Sequence, residues 1–331
     1  MNILTIGGAT QDIFIKHKHH QHEHTHERTL LVLEEGTKID VDDIHYCSGG
    51  GATNTAASFA RLGYSTTSFF KVGDDPQGTF ILNQLQSYGI NTSYALQEKG
   101  GKTSVSLIMG SPNGERTALV YRGASSSITP QEFPYNALSS CSAVYITSLH
   151  NQALHLMTPL AQEAQRRNAL VAMNPGTEQL KAGASFMVEA LPYVDIFMVN
   201  RSEAILFMQS LGHTQAFSLP LFFSIMFNYG PRTLVVTDGA NGVHVATKDH
   251  QFYHPSIATS VVSTLGAGDA FGSCFVASIL QGDTLEDSIR AGLINSASVV
   301  QYPDAKMGLL TQDELMTQRA KLDKKLLQKI S

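Results

Sequence analysis

Ser263-Thr264-Leu265-Gly266-Ala267-Gly268-Asp269-Ala270-Phe271 is the run in this chain whose residue types and spacing most invite chemistry. It follows a β-branched stretch, Thr259–Val262, and opens an apolar segment of helical length. Glycines at 266 and 268 let the backbone approach a ligand closely. The unpaired N–H groups of the helix start then face an anion, with the helix dipole behind them. Asp269 stands inside that anion hole, where a carboxylate can accept the proton of a hydroxyl attacking phosphorus. A plain glycine turn with an acid at its helix cap has the same sequence, and the run alone does not separate the two.

Four further groups have matching chemistry. Asn200 and Glu203 follow the strand-like run Ile196–Val199 and fall one helical turn apart, so both can offer oxygen to a hard cation such as Mg²⁺. The same pair also reads as a helix-capping box. Thr237-Asp238-Gly239-Ala240-Asn241-Gly242 suits a nucleotide's phosphates or ribose, or makes an ordinary hairpin turn. In Ser48-Gly49-Gly50-Gly51-Ala52-Thr53-Asn54, the backbone N–H groups and the Asn54 amide suit sugar hydroxyls; the alternative is a hinge with a helix cap. Asp12, just after the first strand, can accept two hydrogen bonds from a vicinal diol, or be a solvated turn acid. No G-x-x-x-x-G-K-[ST] loop is present, which excludes an ordinary P-loop, and Gly7-Gly8 lacks the dinucleotide fingerprint.

The elements that must position these residues alternate. Strand-like runs at Asn2–Ile6, Thr67–Val72, Ser104–Met109, Ala143–Thr147, Leu170–Met173, Ile196–Val199 and Thr233–Thr237 are separated by helix-like segments at Thr53–Leu62, Pro76–Tyr88, Gln152–Arg167, Arg201–Leu211 and Gly268–Leu280. That order predicts an α/β fold, a mainly parallel sheet flanked by helices, with ligands beyond the carboxyl ends of its strands. Ile13–Ile44 breaks the rhythm with strand-like pieces only. With Thr103–Tyr121 it is expected to form a small projecting β-sheet, a lid on a single domain spanning residues 1–331. The 331 residues are 43% hydrophobic, enough for one large core, and only 15% charged. A net charge of −5 offers nothing to nucleic acid or to an anionic membrane surface. Cys47, Cys141 and Cys274 are too far apart for a metal motif and suit a reducing compartment. With no signal-like or membrane-length apolar run, the expectation is a soluble cytoplasmic protein.

Taken together and in this order, Gly49-Gly50 with Asn54, Ala60-Arg61-Leu62-Gly63, Asn200 with Glu203, Thr237–Gly242 and Thr264–Phe271 resemble the pfkB, or ribokinase-like, carbohydrate kinases from Asn2 to about Met307. The resemblance implies a Rossmann-like domain with a β-sheet lid, and transfer of the γ-phosphoryl group of ATP to a sugar hydroxyl. It implies Asp269 as the base and Gly266, Ala267 and Gly268 as the anion hole. Asp12, Gly49, Gly50 and Asn54 would hold the acceptor, and Asn200 and Glu203 would organise Mg²⁺. Thr237, Gly239 and Gly242 would contact the nucleotide, and Asn295 would flank the adenine. A monovalent cation and a homodimer paired through the lids are further family features. A nucleoside kinase of the same fold, or a non-catalytic sugar- or nucleotide-binding protein, remain alternatives.

Three features depart from the family pattern. Ser263 replaces the usual acid or Asn at the start of the glycine signature, which bears on the acceptor and the monovalent cation but spares the base. His150 stands where ribose kinases carry Glu, which argues against ribose itself. His20, His22, His24 and His26 alternate within the run Lys16–Glu27, so an extended chain would put all four on one side and let them bind Zn²⁺ or charge near pH 6. The expectation is a solvated loop between lid strands with no defined role.

Overall fold

A computed structural model describes residues 1–16, 21–24, 29–110, 116–182, 186–323 and 326–330. Period-two alternation in the central strands decides the layering. In Asn2–Ile6, Leu4 and Ile6 join one apolar cluster while Ile3 joins another. In Ala143–Ile146, Val144 and Ile146 face the first cluster and Ala143 and Tyr145 the second. A sheet with two apolar faces must be covered on both, and here helices cover both. Among the described residues the sheet has nine strands. Ser65–Phe69, Asn2–Ile6, Ala143–Ile146, Leu170–Met173, Ile196–Asn200 and Thr233–Thr237 run parallel in that spatial order. Val243–Ala246, Gln251–His254 and Gln328–Lys329 extend it antiparallel. No helix among the described residues is long and apolar enough to cross a membrane.

Two elements differ from their sequence signals. Leu219–Tyr229 (LPLFFSIMFNY) is a helix with Ser218 as its cap, although its almost unbroken apolar run carries no helical period. The single strand read at Thr67–Val72 is two, Ser65–Phe69 in the main sheet and Lys71–Gly73 paired with Leu96–Glu98 outside it.

A second sheet, of four strands, stands apart: Arg116–Tyr121, Ser104–Gly110, Thr10–Lys16 and Asp43–Gly49, in that order. Paired residues on neighbouring strands project to the same face, so the register sorts its side chains. Asp12 is level with Cys47 and Ser106, and Ser106 with Val120. One residue on, Ile13 is level with Tyr46 and Leu107, and Leu107 with Leu119. The first row faces the body of the protein and carries Asp12. The second forms an apolar outer face, with Tyr46 51% and Leu119 57% exposed. Within the histidine-rich run, Gln21–His24 is a strand paired with Thr29–Val32, rather than part of a loop. The remainder, 17–20 and 25–28, lies outside the described residues.

Candidate active site

Two helix N-termini form the centre of the site. The helix Gly51–Arg61 follows Gly49-Gly50, and the helix Ala267–Leu280 follows Gly266. Gly266 has φ 74°, a left-handed conformation, and a Cβ there would fall 2.2 Å from the Ala305 Cβ, so only glycine serves. The turn before it is held by Ser263, whose Oγ accepts from the Leu265 N–H at 3.2 Å. Ser263 thus shapes the glycine turn. The two helices are fastened by Ser273 Oγ donating to Ser58 Oγ at 2.7 Å. Asn295, expected at the adenine, is wholly buried behind them. Its Nδ2 donates to Ser58 Oγ and to the Ala270 carbonyl, and its Oδ1 accepts from Leu310 N–H. That engagement makes its amide a tie between segments.

Asp269 is half-buried in the first turn of Ala267–Leu280. Desolvation pushes its carboxyl up to about 6, against the opposing pull of a hydrogen bond from Asn54 and the charge of Lys306. Asn54 Nδ2 donates to Asp269 Oδ2 at 2.8 Å, and Asn54 Oδ1 accepts from Lys306 Nζ at 2.5 Å. Asn54 was expected to hold the acceptor, and here it braces the expected base. Asp12 lies on a strand and is buried, not a solvated turn acid. Burial pushes its carboxyl up to about 6 as well, opposed by the charge of Lys306 and a hydrogen bond with Ser106. A Cβ at Gly49 would fall 1.8 Å from Asp12 Oδ2, so the glycine leaves the room this carboxylate occupies.

Asn200 and Glu203 form the capping box in full: Asn200 Oδ1 accepts from Glu203 N–H at 2.9 Å, and Glu203 Oε2 from Asn200 N–H at 2.8 Å. Glu203 also lines a cleft, and desolvation together with the charge of Asp269 raises its carboxyl. Thr237 is level with Asn200 across the sheet. The turn from Asp238 to Gly242 joins antiparallel strands, and Asp238 meets Arg201 at 3.5 Å.

The cleft, of about 330 Å³, is walled by Gly8, Gly50 and Gly51 at the strand ends and by Thr10, Ser104, Ser106 and Val120 of the lid. Arg122, His150 and Glu178 close one side; His150 was singled out in the sequence as a departure that bears on the acceptor, while Arg122 and Glu178 escaped that reading. Arg122 Nη1 lies 3.0 Å from His150 Nε2, and His150 Nδ1 lies 3.4 Å from a Glu178 oxygen. Burial lowers the His150 pKa, which keeps the ring neutral beside the guanidinium. From the lid, Arg116 donates to Thr264 Oγ1 in the glycine turn. A second cavity, of about 300 Å³, lies between Ile257, Ala258 and Thr259 and the face of the helix Leu285–Val299 that carries Ile294, Ala297 and Ser298.

Comparison with known proteins bears on the family and the fold. Residues 16–312 match the model of the pfkB family carbohydrate kinases. The ribokinase of Staphylococcus aureus (strain COL) is 25% identical over 284 residues, covering 85% of this chain and 91% of that protein. Arabidopsis thaliana ribokinase, solved in complex with ribose and ATP, superposes with a TM-score of 0.80 at 19% identity, covering 97% of this chain and 99% of the other. The nucleoside kinase of Methanocaldococcus jannaschii, an archaeal member of the ribokinase family, gives 0.77 at 21% identity, with 97% and 98% covered. The two structural likenesses establish the fold.

Proposed function

The chain belongs to the pfkB family of carbohydrate kinases, and on that premise we propose that it moves the γ-phosphoryl group of ATP to a hydroxyl of a sugar, with Asp269 as general base. The observation that carries this reading is the pairing of Asp269 with a left-handed glycine at a helix N-terminus, braced by Asn54. The acceptor oxygen attacks the γ-phosphorus. Its new P–O bond forms as the β–γ bridging bond breaks, its proton passes to Asp269, and ADP departs with the bridging oxygen. The N–H groups at Gly266, Ala267 and Gly268 stabilise the charge on the transferring group. Asn200 and Glu203 suit Mg²⁺ because both carry side-chain oxygens at a helix start, where Glu203 lines the cleft; burial raises its carboxyl first, and the charge of Asp269 adds to that. When bound there, directly or through water, the ion would neutralise phosphate charge.

Asp12, level with the cleft-lining Ser106, and the backbone at Gly49 and Gly50 hold the acceptor at the edge of the 330 Å³ cleft, whose lining includes Gly50. Its walls are rich in hydroxyls, at Thr10, Ser104, Ser106, Ser125, Ser148 and Thr177, and the described lining residues include no Phe, Tyr or Trp. Such a surface suits a polyol better than a nucleobase, which favours a sugar over a nucleoside. The adenine of ATP fits the second cavity, beside Ile294 and Ala297, with its phosphates running past Thr237, Gly239 and Gly242 to the glycine turn. The apolar outer face of the lid supports pairing with a second copy of the chain.

The test is to incubate the protein with ATP, Mg²⁺ and a panel of pentoses, hexoses, sugar acids and nucleosides, following ADP release and the phosphorylated product by mass. Phosphorylation of a sugar in preference to every nucleoside is expected. Turnover of nucleosides alone, or of nothing in the panel, would contradict the reading.

A further inference from the structure

Lys306 is a buried charge for which the reaction above has no use. It is 4% exposed and lies in the loop beyond the helix Leu285–Val299. Asp304 Oδ1 holds that loop by accepting from the N–H groups of Lys306 and Met307, each at 2.8 Å, while Asp304 Oδ2 lies 2.7 Å from His45 Nε2. The ammonium is thereby delivered to the start of the helix Gly51–Arg61, where it donates to the Ser48 carbonyl, to Thr53 Oγ1 at 3.2 Å and to Asn54 Oδ1 at 2.5 Å. An ammonium has three N–H donors, and three acceptors meet them.

A side-chain amide has one accepting end and one donating end, and its neighbours decide which way it points. With Oδ1 on an ammonium, Asn54 must turn its Nδ2 to Asp269. The ionised carboxylate favours the same orientation, and once Asp269 takes up a proton the ammonium alone still holds Nδ2 towards it. We propose that Lys306 is a positioning residue for phosphoryl transfer: it locks the Asn54 amide so that Nδ2 engages one oxygen of Asp269 and leaves the other for the acceptor's proton. The inference rests on Asp269 being the base.

The charges around this relay set the sign of its effect. Lys306 faces Cys47, Asp12, Asp304 and Asp269. Asp269 faces Asn54 and Lys306, with its charge also felt at Tyr145 and Glu203, and Arg116 acts on Asp12. Burial raises the Asp269 carboxyl, and the Asn54 hydrogen bond and the Lys306 charge hold it down. Removing the ammonium relaxes both restraints, so the carboxyl must rise further.

The test is Lys306→Met, which keeps an unbranched stem and removes the charge, read in two ways. A ¹³C NMR titration follows the Asp269 carboxyl without turnover, and kcat/KM is measured against pH. The carboxyl and the acid limb should both move up by about one pH unit, with kcat down on the order of tenfold and KM for ATP within about twofold. An Asp269 that titrates as in the parent, with activity falling only in step with Tm, would overturn the proposal. If Lys306→Met fails to fold, Lys306→Gln supplies a neutral donor to Asn54 and must still raise the carboxyl; an unmoved titration there also overturns it. Since the NMR shift needs no turnover, failure of the base assignment would show separately, as an active Asp269→Asn enzyme.

Discussion

With its carboxyl pushed to about 6, Asp269 is ionised at pH 8 and largely protonated at pH 5. A base must be unprotonated to work, so kcat/KM should fall as pH drops through about 6. Asp12 titrates in the same window and is proposed to accept hydrogen bonds from the sugar as a carboxylate. The acid limb of kcat/KM should therefore be steeper than one proton explains, with a limiting slope of about two, and Asp12→Asn should reduce that slope to about one. A pH–rate series on the two proteins checks this; a single-proton limb in the parent would contradict it. The residues of this centre differ in how visible they were. Asp269, Gly266, Asn200 and Glu203 announce themselves because each sits in a short segment whose neighbours explain it. Lys306, Arg122 and Glu178 come from segments with no local signal, and only the folded chain brings Lys306 to Asn54 and the other two to the cleft. Asn295 shows that a helix residue's surroundings depend on which face it occupies: Ile294, Ala297 and Ser298 line the second cavity while Asn295 is wholly buried.

At the scale of elements, the lid depends on a strand end meeting a strand face. Gly49 ends Asp43–Gly49 directly over Asp12, and a methyl group has no room there. Gly49→Ala should displace the Asp12 carboxylate, raising KM for the acceptor on the order of tenfold while KM for ATP stays within about twofold. Steady-state kinetics with each substrate varied would show it, and equal effects on both would mean that the change is general misfolding. The strands of this sheet were readable because the stretch lacks a helical period, but its pairing was not. Thr10–Lys16 lies between Asp43–Gly49, antiparallel, and Ser104–Gly110, parallel, a contact about ninety residues away in sequence that no local pattern encodes. The helix Leu219–Tyr229 stayed hidden for the opposite reason, since a segment apolar all round has no face to count.

For the molecule as a whole, alternation of strand and helix made the architecture legible, and the matched family model covers residues 16–312. Assembly is less visible in sequence, because the apolar outer row of Tyr46, Ile13, Leu107 and Leu119 exists only once four strands are in register. An exposed apolar sheet face of this kind marks an interaction surface, and a two-fold partner would bury the same row on both copies. Sedimentation velocity should find a dimer at micromolar concentration, and Tyr46→Glu with Leu119→Glu should yield monomers; a monomeric parent would contradict the lid pairing. Phosphoryl transfer itself, the central claim, is tested most directly by turnover of Asp269→Asn with the acceptor found in the sugar panel. The substitution keeps an oxygen for Asn54 and removes a carboxylate that burial disfavours, so Tm should hold or rise and ATP binding should persist. Loss of the base should lower kcat on the order of a thousand-fold, whereas a variant turning over within threefold of the parent would show that Asp269 does not take the acceptor's proton.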